Sequence, residues 1–199
     1  NSAFVIYNRG YKIKNARSKV LANTENPYFN RSVEKFCSHK HTPNNPEKEF
    51  PSIVMGRDGV YIGFEMFREY FNIGSITTKQ ILTFVIDELL TDKTVKTNLP
   101  ASGVVTVTNQ NDRRIVHLLY ADLVKRGRST EVIEDLIPLY NIEVSVAFDK
   151  EPKRVYLAPQ NKDIDFEYKD EYVHFTVDFE CHQMIVIERE FRMLVYEKM

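Results

Sequence analysis

The groups in this 199-residue chain that could do chemistry are five histidines, two cysteines and a scatter of carboxylates. They crowd most densely between Asn26 and Pro43, where Cys37, His39 and His41 form a C-x-H-x-H pattern. Alternate residues of an extended segment point to one side, so a thiolate and two imidazoles could close on one zinc ion. Glu34, the distant His182 or a water would have to complete the shell. Known zinc patterns usually space their ligands in pairs about two to four residues apart, and this one does not. The structural reading therefore ranks first: Cys37 is a small buried apolar group, and both imidazoles bond loop backbone.

Nucleophilic chemistry at Cys37 would need a histidine partner and convergent donors for an oxyanion. A nucleophile elbow keeps glycines on either side of the nucleophile, and here those positions hold Lys35 and His39. Glycoside hydrolysis would need two carboxylates held a few ångströms apart on rigid elements. Glu65, Asp87, Glu88, Glu134, Asp135 and Glu188 are available, but no sequence context forces any of them inward. His117, between Val116 and Leu118, reads as a core or edge histidine. Seven glycines, none clustered, give no phosphate loop. Sugar grooves use aromatic faces; Trp is absent, while Tyr11, Tyr28 and Tyr61 could serve. A ligand in the organising stretch would meet Tyr28, Arg31, His39 and His41. No cofactor is expected, and Cys37, His39 and His41 remain the only metal candidates.

These residues must be positioned by an α/β half followed by an all-β half. Phe4–Tyr7 reads as a strand ended by Asn8-Arg9-Gly10, and Lys19–Ala22 is a second apolar run. Ser32–Phe36 could make one helical turn. Ser52–Gly56 and Val60–Phe64 predict a hairpin with Gly59 at positive φ. Glu65–Asn72 reads as a short helix ended near Gly74. In Thr78–Leu90, residues Ile81, Leu82, Val85, Ile86, Leu89 and Leu90 recur at helical spacing and predict one core-facing side, with Thr77 and Gln80 as a capping box. From Val104 onward short strands follow at roughly ten-residue spacing, which predicts an antiparallel β-sandwich. They include Arg114–Tyr120, the alternating run Ile142–Phe148, Tyr172–Phe179, Met184–Ile187 and Phe191–Tyr196. Asp122–Leu136 reads as a long loop. The expected domains are 1–110 and 111–199.

The net charge of −1 gives no reason to expect nucleic acid or an acidic membrane as partner. It is unevenly spread: residues 1–110 carry 14 Lys/Arg against 10 Asp/Glu, and residues 111–199 carry 13 against 18. No apolar run reaches the ~18 residues of a membrane span. Without an initiating Met or a leader, and opening at once on Ala3–Tyr7, the chain reads as a piece of a longer polypeptide.

The segments Pro27–Arg31, Phe36–Pro43, Arg114–Tyr120 and Val155–Pro159 together resemble the C-terminal portion of bacterial glycoside hydrolases related to family-42 β-galactosidases. The resemblance implies a partial flavodoxin-like, amidotransferase-like α/β domain of the trimerisation type, followed by a small β-sandwich. It implies a non-catalytic oligomerisation module whose carboxylates lie in an upstream barrel. The implied partners are that barrel, further copies of the chain and a glycan, in the bacterial cytoplasm. A carbohydrate-binding module is the alternative, and a metal- or thiol-dependent hydrolase at Cys37, His39 and His41 the third.

Overall fold

The computed structural model describes residues 4–14, 17–25, 32–38 and 50–189. These fall into two compact units, Asn1–Thr91 and Asp92–Met199.

In the first unit, β1 (Lys19–Thr24), β2 (Phe50–Met55) and β3 (Val60–Ile62) form an antiparallel sheet in that order. Helices α1 (Met66–Ile73) and α2 (Ile76–Leu89) follow. The expected flavodoxin-like half is not what these residues build. A short turn joins β2 to β3, which only antiparallel neighbours allow; parallel strands need a crossover, and both helices come after the last strand. The turn closes with Gly56 N–H bonding the Gly59 carbonyl at 2.9 Å, and Gly59 is not at the positive φ expected of it.

The N-terminal segment pairs with the chain just after β3, at Gly63 and Phe64. Gly10 bridges Phe64, Tyr11 N–H donates to the Gly63 carbonyl at 2.6 Å, and Gly63 N–H donates to the Ser52 carbonyl at 2.7 Å. A Cβ on Gly63 would lie 3.0 Å from the Tyr11 carbonyl oxygen, 3.1 Å from Ile13 Cδ1 and 3.2 Å from the Ser52 carbonyl oxygen, so a larger residue would make these neighbours give by a few tenths of an ångström. The strand expected at Phe4–Tyr7 does not form, because the N–H groups of Tyr7 and Asn8 go to the Glu69 carboxylate instead.

Helix α1 ends at Gly74, whose φ of 65° lets its N–H reach the Tyr70 carbonyl at 2.8 Å. Helix α2 starts at Ile76, two residues before the expected Thr78. Ser75 is its N-cap, so Thr77 and Gln80 lie inside the helix and cap nothing. Its apolar side is only partly inward. Thr78 and Val85 are buried, whereas Phe84, Ile86, Leu89 and Leu90 are exposed.

The second unit is the predicted sandwich-like body. Its strands are β4 (Val95–Thr97), β5 (Val104–Gln110), β6 (Arg113–Leu119), β7 (Val124–Arg126), β8 (Thr130–Val132), β9 (Leu139–Ala147), β10 (Arg154–Ala158), β11 (Lys162–Asp163), β12 (Glu167–Lys169), β13 (Tyr172–Phe179) and β14 (His182–Glu188). One antiparallel sheet runs β11-β10-β14-β6-β5 and another β12-β13-β9-β4; β7 and β8 pair alone. The expected boundary at residue 110 falls in the turn between β5 and β6, which pair from Val104↔Leu119 to Gln110↔Arg113. The loop expected over Asp122–Leu136 contains the β7–β8 hairpin, with Gly127 in its turn at φ 62°. The expected strand Phe191–Tyr196 lies outside the described residues.

Both large sheets share one core. Val116 and Leu118 of β6, Val144 and Val146 of β9, Val173 and Phe175 of β13, and Ile185 and Ile187 of β14 are buried together. Each such side chain contributes about 1.5–3 kcal/mol of transfer free energy. The strict alternation Val173, Phe175, Val177, Phe179 sends His174, Thr176 and Asp178 to the opposite face. Asp170 and Glu171, both at positive φ, make the tight β12–β13 turn that fixes this register. No described helix is long and apolar enough to cross a membrane.

Candidate functional site

Tyr28, Arg31, His39 and His41 lie outside the described residues. Of the organising stretch, residues 32–38 are described, and they form a bend held by Ser32 in place of the expected helical turn. Its hydroxyl accepts the N–H groups of Glu34 at 3.2 Å and Lys35 at 3.1 Å. Cys37 is 3% exposed and in no disulfide. Among the described residues, no group of three or more His, Cys, Asp or Glu is placed to hold a metal ion.

Among the described residues, the most deeply buried carboxylate is Glu69 on α1, at 1% exposure. Its Oε1 accepts Tyr7 N–H at 3.1 Å; its Oε2 accepts Asn8 N–H at 3.2 Å and Asn8 Nδ2 at 2.6 Å. Three donors on one carboxylate offset the cost of burying it. The group clamps the N-terminal segment to the helix.

The carboxylates weighed for hydrolysis are engaged or exposed. Glu65 pairs with Arg68 at 2.8 Å one helical turn away. Glu134 accepts Arg126 Nε at 2.8 Å across the β7–β8 hairpin, and Glu188 accepts the Tyr156 hydroxyl at 3.0 Å. Asp87, Glu88 and Asp135 are on the surface. His117, expected as a core or edge histidine, meets His182 of the adjacent strand. Nδ1 and Nε2 stand 3.1 Å apart in rings tilted by only 8°. The 5.4 Å between ring centres equals that gap plus two half-rings, so the contact runs end to end in the ring plane, as an N–H···N bond. His182 is thus engaged within its own sheet.

The outer face of β9 and β13 holds a constellation that the residue pattern alone does not reveal. Ser145 and His174 sit opposite each other in the ladder, with Oγ 2.8 Å from Nδ1. His174 Nε2 is 3.3 Å from the Lys169 carbonyl, and a carbonyl only accepts, so Nε2 carries the proton and Nδ1 accepts from the serine hydroxyl. This is the base half of a nucleophilic arrangement. The oxyanion half cannot come from the backbone at Ser145, because β9 is paired on both sides there, with Lys96 and His174.

Beside this pair runs an open groove of about 730 Å³, bordered by Glu143, Ser145, His174 and Thr176 and by the segment Lys162–Glu167. The register brings these groups together, and register depends on turns and bulges rather than on the residues themselves.

No family model matches the chain, and no curated protein matches it. Among solved structures it is similar to alpha-L-fucosidase isoenzyme 2 from Paenibacillus thiaminolyticus, with 42% identity and a TM-score of 0.86. The match covers 96% of this chain and 30% of that one. The chain is thus related, in sequence and in fold, to part of a glycoside hydrolase, and it spans less than a third of that enzyme's length.

Proposed function

We propose that the chain is a non-catalytic accessory module of a glycoside hydrolase, making contacts with the catalytic part and between subunits. The observation that carries this reading is the asymmetry of the match: nearly all of this chain aligns with under a third of a fucosidase. The surface of the first unit supports it. Phe67 and Phe71, one turn apart on α1, are 77% and 89% exposed, and Ile73, Ile76, Phe84 and Ile86 are exposed as well. A groove of about 400 Å³ lined by Ile62, Phe64, Met66 and Leu82 adjoins Phe67. Two exposed phenylalanines one turn apart, beside an apolar groove, are the kind of surface that contacts a partner.

For the whole enzyme we put a fucoside ahead of a β-galactoside as substrate, because the fucosidase similarity extends over the full chain. The trimerisation role inferred by resemblance is kept only as self-association, since its flavodoxin-like basis is not what the first unit builds. Two measurements on the purified chain test the reading. Sedimentation over a concentration series should reveal self-association, and nitrophenyl α-L-fucoside and β-D-galactoside should both remain uncleaved. Turnover of either substrate by this chain alone would refute it.

A further inference from the structure

We infer that the groove beside Ser145 and His174 is a binding site for a neutral sugar ring. It is an opening in the ladder, not a dent in a side-chain surface. Strand β12 pairs with β13 only from Lys169↔Tyr172 to Glu167↔His174. Beyond His174, the edge of β13 away from β9 has no partner strand among the described residues, while Lys162–Asp163 joins β10 in the other sheet as β11. The gap between them is the groove. Its volume of about 730 Å³ lies inside the ~300–1,000 Å³ range of small-molecule sites.

The lining chemistry selects the ligand class. Glu143, Asp165 and Glu167 are in no ion pair among the described residues, and Asp163 is neutralised by Arg154. With Lys162 as the one cation lining the groove, its field is negative, which disfavours phosphate, sulfate and uronate groups. Ser145 spends its proton on His174 and keeps its oxygen lone pairs, so the wall mainly accepts hydrogen bonds. A divalent cation would need the carboxylates to converge, and they do not. Acceptors spaced along a groove fit a ligand with several hydroxyl donors, each making a charge-assisted bond to a carboxylate. Ile164 and Phe166 pack against the core, so the groove wall that they border is set by the polar residues between them, Asp163, Asp165 and Glu167.

This site belongs to the sandwich and does not depend on the module reading; the sedimentation result can go either way without touching it. The test uses the full chain on an array of neutral, sialylated and sulfated oligosaccharides, followed by calorimetry with the best neutral hit. Amide-shift mapping with the same hit, and separately with calcium chloride, locates the binding. We expect neutral glycans to bind in preference to acidic ones and to shift Ser145, His174 and Thr176. Binding should weaken at least tenfold in Glu143→Gln/Glu167→Gln, with the melting temperature unchanged. Absence of neutral-glycan binding, a preference for acidic glycans, shifts elsewhere, shifts with calcium alone, or an unaffected double variant would each overturn the assignment.

Discussion

Glu69 holds Asn8 twice, accepting its backbone N–H at 3.2 Å and its side-chain amide at 2.6 Å across sixty-one residues of sequence. Replacing the carboxylate by Gln turns one acceptor into a donor aimed at N–H groups. Leaving one such buried group unsatisfied costs about 1–3 kcal/mol. Urea melts should therefore place Glu69→Gln below wild type by about that amount, and Asn8→Ala below it by less. A neutral Glu69→Gln would mean the N-terminal segment is not held by this carboxylate.

Phe67 and Phe71 point away from the first unit's interior. Phe67→Ser/Phe71→Ser should leave stability within about 0.5 kcal/mol per site, as substitutions outside the core generally do. It should also reduce the sedimentation-detected assembly expected under the module reading. An unaltered mass distribution would move the contact surface elsewhere.

The in-plane N–H···N bond between His117 and His182 predicts a measurable coupling. In a double-mutant cycle with Ala at each position, the interaction energy should come out near about 0.5–1 kcal/mol, the net value of a neutral hydrogen bond. Strict additivity would show that the rings merely adjoin.

Tyr168 predicts an alkaline limb in the stability profile. Its hydroxyl donates to the Phe148 carbonyl at 3.1 Å. Burial, and then the carboxylates of Glu171, Asp149 and Glu151, raise its pKa above the ordinary 10.0. A raised pKa means the folded state holds the proton more tightly than the unfolded one. The contribution is complete below about pH 10 and declines as pH climbs through the folded value. Melting curves above pH 10 should fall less steeply for Tyr168→Phe than for wild type. Identical slopes would count against the assignment.

The sandwich was legible because its strands alternate cleanly: Val173, Phe175, Val177 and Phe179 follow the inward rule without exception. The first unit was not, for two reasons. Apolar runs of five or six residues look the same in parallel and antiparallel sheets, so the order of helices after strands had to decide. In α2 the helical period was correct, but period locates a stripe and not what covers it; Ile86 and Leu89 are exposed on it. The groove was invisible for a third reason. Ser145 and His174 are ordinary residues until the ladder sets them opposite each other. The organising stretch contributed its bend at Ser32 and the buried Cys37, while its four proposed ligand contacts lie outside the described residues.

The close backbone approach at Gly63 makes that codon a test of local packing. A library randomised there and sorted for retained structure should be enriched in glycine and then alanine over larger residues, since a methyl group would already press on two carbonyl oxygens and Ile13. Its failures would loosen the N-terminal segment within the first unit while the sandwich unit stays cooperative, so they would register as a new protease-sensitive site and not as a collapsed protein.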